Sequence, residues 1–370
     1  MARTDHLMLR SGHFKLGLFS ANCSGGLAVT RVPERWDASW DSNLALSMLA
    51  DDFGIDFMLP IARFAGYGGD TDFQGASLET LVWASALLAS TQRMTVFATV
   101  HTAFCHPVLA AKQFATADQV GHGRFGLNIV AGWNQPEYEL FGLELPPGHA
   151  DRYAQAQEWW DVVRRIWTED KPFDFQGRQF KLKNVSGRPR PFNGVPPILN
   201  AASSQEGRAF AAANVDFLFT VLIDLATSKA ELPSLRAQSK AHGRELGVLT
   251  PTYVVCRPTN KQAEDYHRHY AEQNADEKGL DRLLELQGLH AKSFPADAFK
   301  HLRTRFAGGH GSYPLIGDPD TVADEIEKIA LAGFDGATLA FVDYVMELPF
   351  FCTEVIPRLE RKGLRIPLAR

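Results

Sequence analysis

Short apolar runs alternate with longer amphipathic stretches along most of this chain. Lys15 to Phe19, Phe57 to Ile61, Met94 to Val100 and Phe125 to Val130 read as strands one to four. Pro197 to Ala202, Asp216 to Leu222, Thr252 to Cys256 and Gly336 to Val342 read as strands five to eight. Between them, Ser42 to Asp52, Leu78 to Ser90, Pro107 to Val120, Asp151 to Trp167 and Gln205 to Ala213 read as helices, and a last helix is expected over Pro349 to Arg361. Leu44, Leu46, Leu49 and Ala50 fall roughly on one face of the first of these. Pro107 suits a first helical turn, where its missing N–H has no partner to lose. Asp151 is the expected N-cap of the long helix.

Strands alternating with helices predict a parallel sheet with right-handed crossovers. Eight such repeats fit a (β/α)8 TIM barrel with insertions, folded as a single domain over residues 1–370. The competing fold is a doubly wound open sheet. Its glycine-rich nucleotide loop is missing, because no G-x-G-x-x-G follows the first strand and Cys23-Ser24-Gly25-Gly26 offers only a flexible turn. Two stretches break the rhythm. Phe173 to Phe180 looks like a hairpin with Gln176-Gly177 near its turn. Residues 275–313, between strands seven and eight, are too long for a plain loop and contain Gly308-Gly309-His310-Gly311. Such an insertion reads as a lid over the barrel mouth, or as a surface helix pair with no catalytic part.

Side chains of a barrel strand alternate between the interior and the helix layer. Phe125, Leu127 and Ile129 form a bulky face suited to helices, which turns Asn128 inward near the C-terminal mouth. In strand three Phe97, Thr99 and His101 share a face. Thr99, His101 and Asn128 are therefore candidate polar groups in one pocket, at the end of the barrel where active sites of this fold lie. The spacing is equally met by a buried, hydrogen-bonded pair without chemistry. Gly132 permits close backbone approach after strand four, and Trp133 offers a flat surface to an aromatic ligand. Arg152 is placed to hold an anion, and Tyr153 to do the same or to cover a ring. Ser203 and Ser204 open the next helix, where hydroxyls and N–H groups suit a phosphate or simply cap the helix. The loop from Arg63 to Gly69, glycine-rich and aromatic, shapes a ligand pocket or is only a turn.

Composition narrows the classes. A net charge of −5 gives no basic footprint for nucleic acid. Cys23, Cys105, Cys256 and Cys352 form no CxxC pair, which argues against a zinc or redox motif and fits reduced thiols in the cytoplasm. No run approaches the length of a membrane span. His267 and His269, two apart, point in different directions on a helix and make no metal pair. There is no H-E-x-x-H and no G-x-S-x-G, so hydrolase readings find no support.

Asn22-Cys23-Ser24-Gly25-Gly26, Arg63 to Gly68, Ala110-Ala111-Lys112-Gln113, Gly123 to Trp133 and Asp151-Arg152-Tyr153 together resemble the bacterial luciferase-like, FMNH2-dependent monooxygenases, in particular their dimethylsulfone- and pyrimidine-oxidising branches. The resemblance runs from about residue 15 to 360, and its strand-four block is the most specific part. It implies a two-component system in which a separate NAD(P)H-dependent flavin reductase supplies reduced FMN and molecular oxygen is co-substrate. It implies flavin contacts at Ala62, Arg63, Asn128, Glu137, Arg152, Tyr153 and Ser204. Thr99 and Asn128 then line the oxygen pocket, with a flavin-N5-peroxide as the implied species, and His101 touches substrate or flavin. Cleavage of a C–N or C–S bond in a small molecule and a homodimer or homotetramer are further implications. Val221-Leu222-Ile223-Asp224 departs from the His/Arg arrangement of the alkanesulfonate branch and points to a less charged substrate. A deazaflavin (F420)-dependent dehydrogenase on the same fold is the alternative.

Overall fold

The computed structural model describes residues 6–10, 12–291 and 294–367. After a short 3-10 turn at Leu7–Leu9, the chain runs β1 (Lys15–Phe19), α1 (Trp40–Phe53), β2 (Phe57–Leu59), α2 (Thr80–Ser90), β3 (Thr95–His101), α3 (Pro107–Val120), β4 (Phe125–Val130), α4 (Gln135–Leu140) and α5 (His149–Thr168). It continues through β5 (Phe173–Gln176), β6 (Lys181–Val185), β7 (Ile198–Ala201), α6 (Gln205–Asn214), β8 (Phe217–Phe219), α7 (Leu225–Ala241), β9 (Gly247–Cys256) and α8 (Asn260–Arg268). A π-helical turn at His269–Gln273 leads to α9 (Glu277–Leu286), α10 (Ala296–Gly309), β10 (Tyr313–Gly317), α11 (Pro319–Leu331), β11 (Gly336–Leu339), α12 (Tyr344–Glu354) and α13 (Ile356–Arg361). The fold class is the expected (β/α)8 barrel rather than the open doubly wound sheet.

The chain divides into two compact units. One comprises residues 1–11, 80–220 and 233–247; the other comprises 12–79, 221–232 and 248–370. In the first, β3, β4, β7 and β8 lie side by side and parallel. Its strand β4 alternates as expected: the Phe125 ring stacks 5.7 Å from Phe114 of α3. Gly126 sits opposite Phe97 in register, and a Cβ there would come 2.5 Å from the phenyl ring. Helix α3 starts where Pro107 allows, with His106 Nδ1 accepting from the Val108 N–H at 3.3 Å. The indole N–H groups of Trp159 and Trp167 on α5 donate to the carbonyls of Cys105 and Ala111 at 2.8 and 3.0 Å, so these two large side chains bury area without orphaning a donor.

In the second unit β2, β1, β11 and β9 are parallel neighbours. Strand β9 is longer than expected. Its first half pairs with β11 and its second half with β10, a ninth strand that the apolar pattern did not reveal. At the N-terminal ends of β1 and β2 lies a buried charged knot. Asp56 accepts from the Leu16 N–H at 2.8 Å, from Arg365 Nη1 at 2.6 Å and meets His13 Nε2 at 2.7 Å. Burial alone would raise the Asp56 carboxyl, but the His13 hydrogen bond and the Arg365 charge outweigh it and hold it below the ordinary carboxylate range. Arg365 also donates to the carbonyls of Phe14 and Gly54, so the C-terminal segment is fastened where β1 begins.

Three boundaries differ from expectation for identifiable reasons. Helix α5 begins at His149 with Gly148 as its N-cap, and Asp151 instead reaches Arg178 at 3.3 Å. The last expected helix is two: Pro357, in the first turn of α13, has no N–H to continue α12, and α12 itself starts earlier, where Asp343 caps the Met346 N–H at 3.1 Å. The stretch 275–313 holds α9 and α10, with residues 292 and 293 outside the described set. The hairpin forms with its turn after Gln176, but its second strand, β6, lies beyond the expected end at Phe180.

The Asp56 knot yields a test. Removing one partner of a buried ion pair leaves the other charge unpaired, at a cost of about 3–5 kcal/mol. Asp56→Asn should lower stability by that order in chemical denaturation near neutral pH. Because the folded carboxyl titrates below its unfolded value of ~3.9, its stabilisation is complete above that value and fades as pH falls through the folded one. The gap between wild type and variant should therefore close in acid. A gap that persists unchanged to low pH contradicts the assignment.

Candidate active site

Strands β3 and β4 put Thr99 directly opposite Asn128, and Asn128 Nδ2 donates to Thr99 Oγ1 at 3.1 Å. Both side chains are buried. Asn128 Oδ1 has no donor among the described residues. A carboxamide oxygen left bare in the interior is costly, and such groups in native folds usually await a water or ligand. Two residues further along β3, His101 Nε2 lies 3.7 Å from Glu137 Oε2, both well buried. Glu137 is brought there by α4, which starts immediately after the Gly132-Trp133 turn. Gly132 has φ +93° and a Cβ there would meet the Tyr138 hydroxyl at 2.5 Å, so the turn requires glycine. Tyr138 closes it by donating to the Ala131 carbonyl at 3.0 Å. Trp133 itself is half-buried.

A second polar group forms where α5 and α6 begin. Arg152 is buried, and its guanidinium donates to the Pro146 carbonyl and to His149. Tyr153 follows, its ring 5.6 Å from Phe210 of α6. Burial pushes the Tyr153 phenol up to about 12, while hydrogen bonding with Asn200 and the Arg152 charge pull the other way. Ser204 caps α6, its Oγ accepting from the Gly207 N–H at 3.2 Å. A Cβ on Gly207 would stand 2.5 Å from the Tyr153 hydroxyl, which therefore reaches the first turn of α6. Thus Tyr153 and the Ser204 turn meet at the N-terminus of α6, while Arg152, the preceding residue, is held in the first turn of α5.

Ala62 and Arg63 lie in the other unit, after β2. Arg63 Nε donates to Gln74 Oε1 at 3.2 Å, and the guanidinium sits 5.0 Å from the centre of the Tyr67 ring. Tyr67 Oη and His310 Nε2 are 3.3 Å apart, with Phe73 stacked on Tyr67. His310 ends α10 in the left-handed region at φ +53°. Burial, helped by the Arg63 charge, lowers its imidazole to about 4. Within this unit Asp276 caps α9 and also accepts from the Asp70 and Thr71 N–H groups at 3.0 and 2.8 Å, so the start of the 275–313 stretch is fastened to the loop after β2.

Sequence reasoning missed several of these groups. Asn200, fully buried on β7, donates to the Ile129 carbonyl at 2.6 Å; a lone amide in an apolar strand was its signal. Asn134, beside Trp133, is buried with its Oδ1 unpartnered. Arg305 supplies a cation to the segment after β8, yet its guanidinium is engaged by the carbonyls of Leu222, Ile223, Gly311 and Ser312. It holds that segment in place, and nothing in the local sequence pattern pairs positions so far apart.

A family model for luciferase-like monooxygenases matches residues 14–336. The chain belongs to the luciferase-like monooxygenase family. This family member is 30% identical over 362 residues to an FMNH2-dependent dimethylsulfone monooxygenase of Pseudomonas fluorescens, covering 96% of this chain and 97% of that one. It is 28% identical over 356 residues to the pyrimidine monooxygenase RutA of Agrobacterium fabrum, covering 94% and 97%. Among solved structures, the long-chain alkane monooxygenase LadA superposes with a TM-score of 0.85 at 19% identity, over 97% of this chain and 93% of that one. At that identity the likeness is one of fold.

The raised Tyr153 phenol gives the prediction here. Comparing wild type with Tyr153→Phe by ultraviolet titration, Tyr153 should contribute no phenolate up to about pH 10, where an ordinary tyrosine is half ionised. Gly207→Ala, which pushes the hydroxyl out of its niche, should bring a phenolate signal into that range. A Tyr153 that ionises normally in the wild type overturns the packing described for it.

Proposed function

We propose that this chain is the oxygenase of a two-component system: it takes FMNH2 from a separate NAD(P)H-dependent flavin reductase, uses O2, and oxygenates a small uncharged polar molecule with cleavage of a C–S or C–N bond. The observation that carries this reading is the buried Thr99–Asn128 pair, in direct register at the mouths of β3 and β4 of a luciferase-like chain. The dimethylsulfone and pyrimidine enzymes it resembles support the substrate class. We further propose action in the cytoplasm as a homo-oligomer, and a lid role for residues 275–313.

The residues present fit a flavin mononucleotide. Asn128 Oδ1 is a buried acceptor in want of an N–H. Arg152 is a buried cation with no acidic partner among the described residues, beside a helix N-terminus whose N–H groups favour a phosphate. Ala62, Arg63 and Glu137 are assigned as further flavin contacts. Reduced flavin supplies the electrons that activate O2. The protein's part is orientation and electrostatics. The Thr99 and Asn128 dipoles, fixed by their mutual hydrogen bond and by strand register, meet negative charge as it develops on oxygen, and in a site closed to water they do so without reorganising. Arg152, Tyr153 and Ser204 anchor the phosphate end. His101 and Glu137, buried and 3.7 Å apart, are assigned to the same pocket beside the Thr99–Asn128 pair.

Loss of one oriented polar group at a site of developing charge reduces turnover roughly 100-fold or more. Thr99→Val and Asn128→Ala should each show that loss in oxygen uptake and product formation, with circular dichroism unchanged. The wild type, supplied with reductase, FMN and NAD(P)H, should consume oxygen with dimethylsulfone or uracil and leave short alkanesulfonates untouched. Full activity in both variants sinks the oxygen-site assignment. Strong turnover of alkanesulfonates alone sinks the substrate class, and oxygen-independent hydride transfer from substrate to oxidised deazaflavin favours the dehydrogenase.

A further inference from the structure

Arg152 stands in an unfavourable place for a cation. It lies in the first turn of α5, where the helix dipole favours negative charge, and it is buried. Among the described residues it forms no ion pair. What fixes it is neutral: the Pro146 carbonyl accepts from Nη1 at 2.6 Å, and Nδ1 of His149 accepts from Nη2 at 2.9 Å. Nε is buried and has no partner among the described residues. Arginine has only donors, so the histidine nitrogen facing it must present a lone pair. The ring proton is therefore on Nε2 and the imidazole is neutral. His149 lies three residues before Arg152, on the same side of the helix.

We propose that His149 is the positioning residue of the phosphate site. It orients the Arg152 guanidinium without cancelling its charge. A carboxylate at the same point would orient the cation equally well, but it would neutralise it and compete with the incoming anion. The neutral acceptor leaves a whole positive charge, already aimed, for the phosphate ester of the flavin. This rests on the reading of Arg152, Tyr153 and Ser204 as the phosphate anchor, and the experiment separates the two.

Oxidised FMN and riboflavin, the same ring system without phosphate, are titrated into wild type and into His149→Asn, His149→Leu and His149→Asp, with quenching of flavin fluorescence as readout. The wild type should prefer FMN. Asn, whose Oδ1 can replace Nδ1, should stay within about 2-fold of wild type for FMN, whereas Leu should weaken it about 3- to 10-fold, the effect of losing one hydrogen bond. Asp should weaken FMN at least as much as Leu, and all four proteins should hold riboflavin alike. In turnover, the KM for FMNH2 should rise in the Leu variant with kcat kept. FMN and riboflavin weakened equally, or FMN affinity unchanged in both Leu and Asp variants, overturns the role of His149. Equal wild-type affinity for FMN and riboflavin overturns the phosphate reading itself. Should the Leu variant not fold, the Asp variant decides by the same comparison.

Discussion

The register between β3 and β4 is the constraint on which the site depends. Thr99 faces Asn128 because Val96 faces Phe125 and Phe97 faces Gly126, residue for residue. A slip by one position would turn Asn128 into the helix layer and Leu127 toward the strand interior. Two packing facts resist such a slip. Phe125 is stacked on Phe114 of α3, and the missing side chain at Gly126 is the space that the Phe97 ring fills. The polar pair is thus held by apolar packing below it, and its hydrogen bond is a consequence of the fold rather than its cause.

In the first unit two buried groups, the Arg152 guanidinium and the Asn128 carboxamide oxygen, lack a counter-charge or a donor among the described residues, and the proposed flavin would meet both. Burying an uncompensated cation costs stability, and most proteins avoid it. Arg152 is fixed by a carbonyl and an imidazole instead of a carboxylate. Asn128 retains an acceptor with no donor among the described residues. In the second unit the opposite is seen at the strand beginnings, where Asp56 is fully satisfied by Arg365, His13 and a backbone N–H. That difference matches the general division of a barrel into a stabilising N-terminal end and a reactive C-terminal end.

Much of this was legible in the chain. The eight parallel strands, the hairpin and the inward turn of Thr99 and Asn128 all follow from apolar alternation at periods the backbone imposes. What was not legible depends on long-range contact. Strand β10, Tyr-Pro-Leu-Ile-Gly, is short and carries a proline that argues against a strand, and it pairs where β9 is long enough to take a second partner. By type Asp151 suits an N-cap, yet the helix starts two residues earlier and its carboxylate serves Arg178. Arg305 and Asn200 act through partners more than seventy positions away, which no local window can reveal. His149 was overlooked because its importance lies in the atom it leaves unprotonated, a property of geometry alone.

The most direct test of the account is a crystal structure of the protein with FMN bound. The account places the isoalloxazine ring against Asn128 and Thr99 and the phosphate among Arg152, Tyr153 and the first turn of α6. A flavin whose phosphate lies away from Arg152, or whose ring lies away from the Thr99–Asn128 pair, would contradict it.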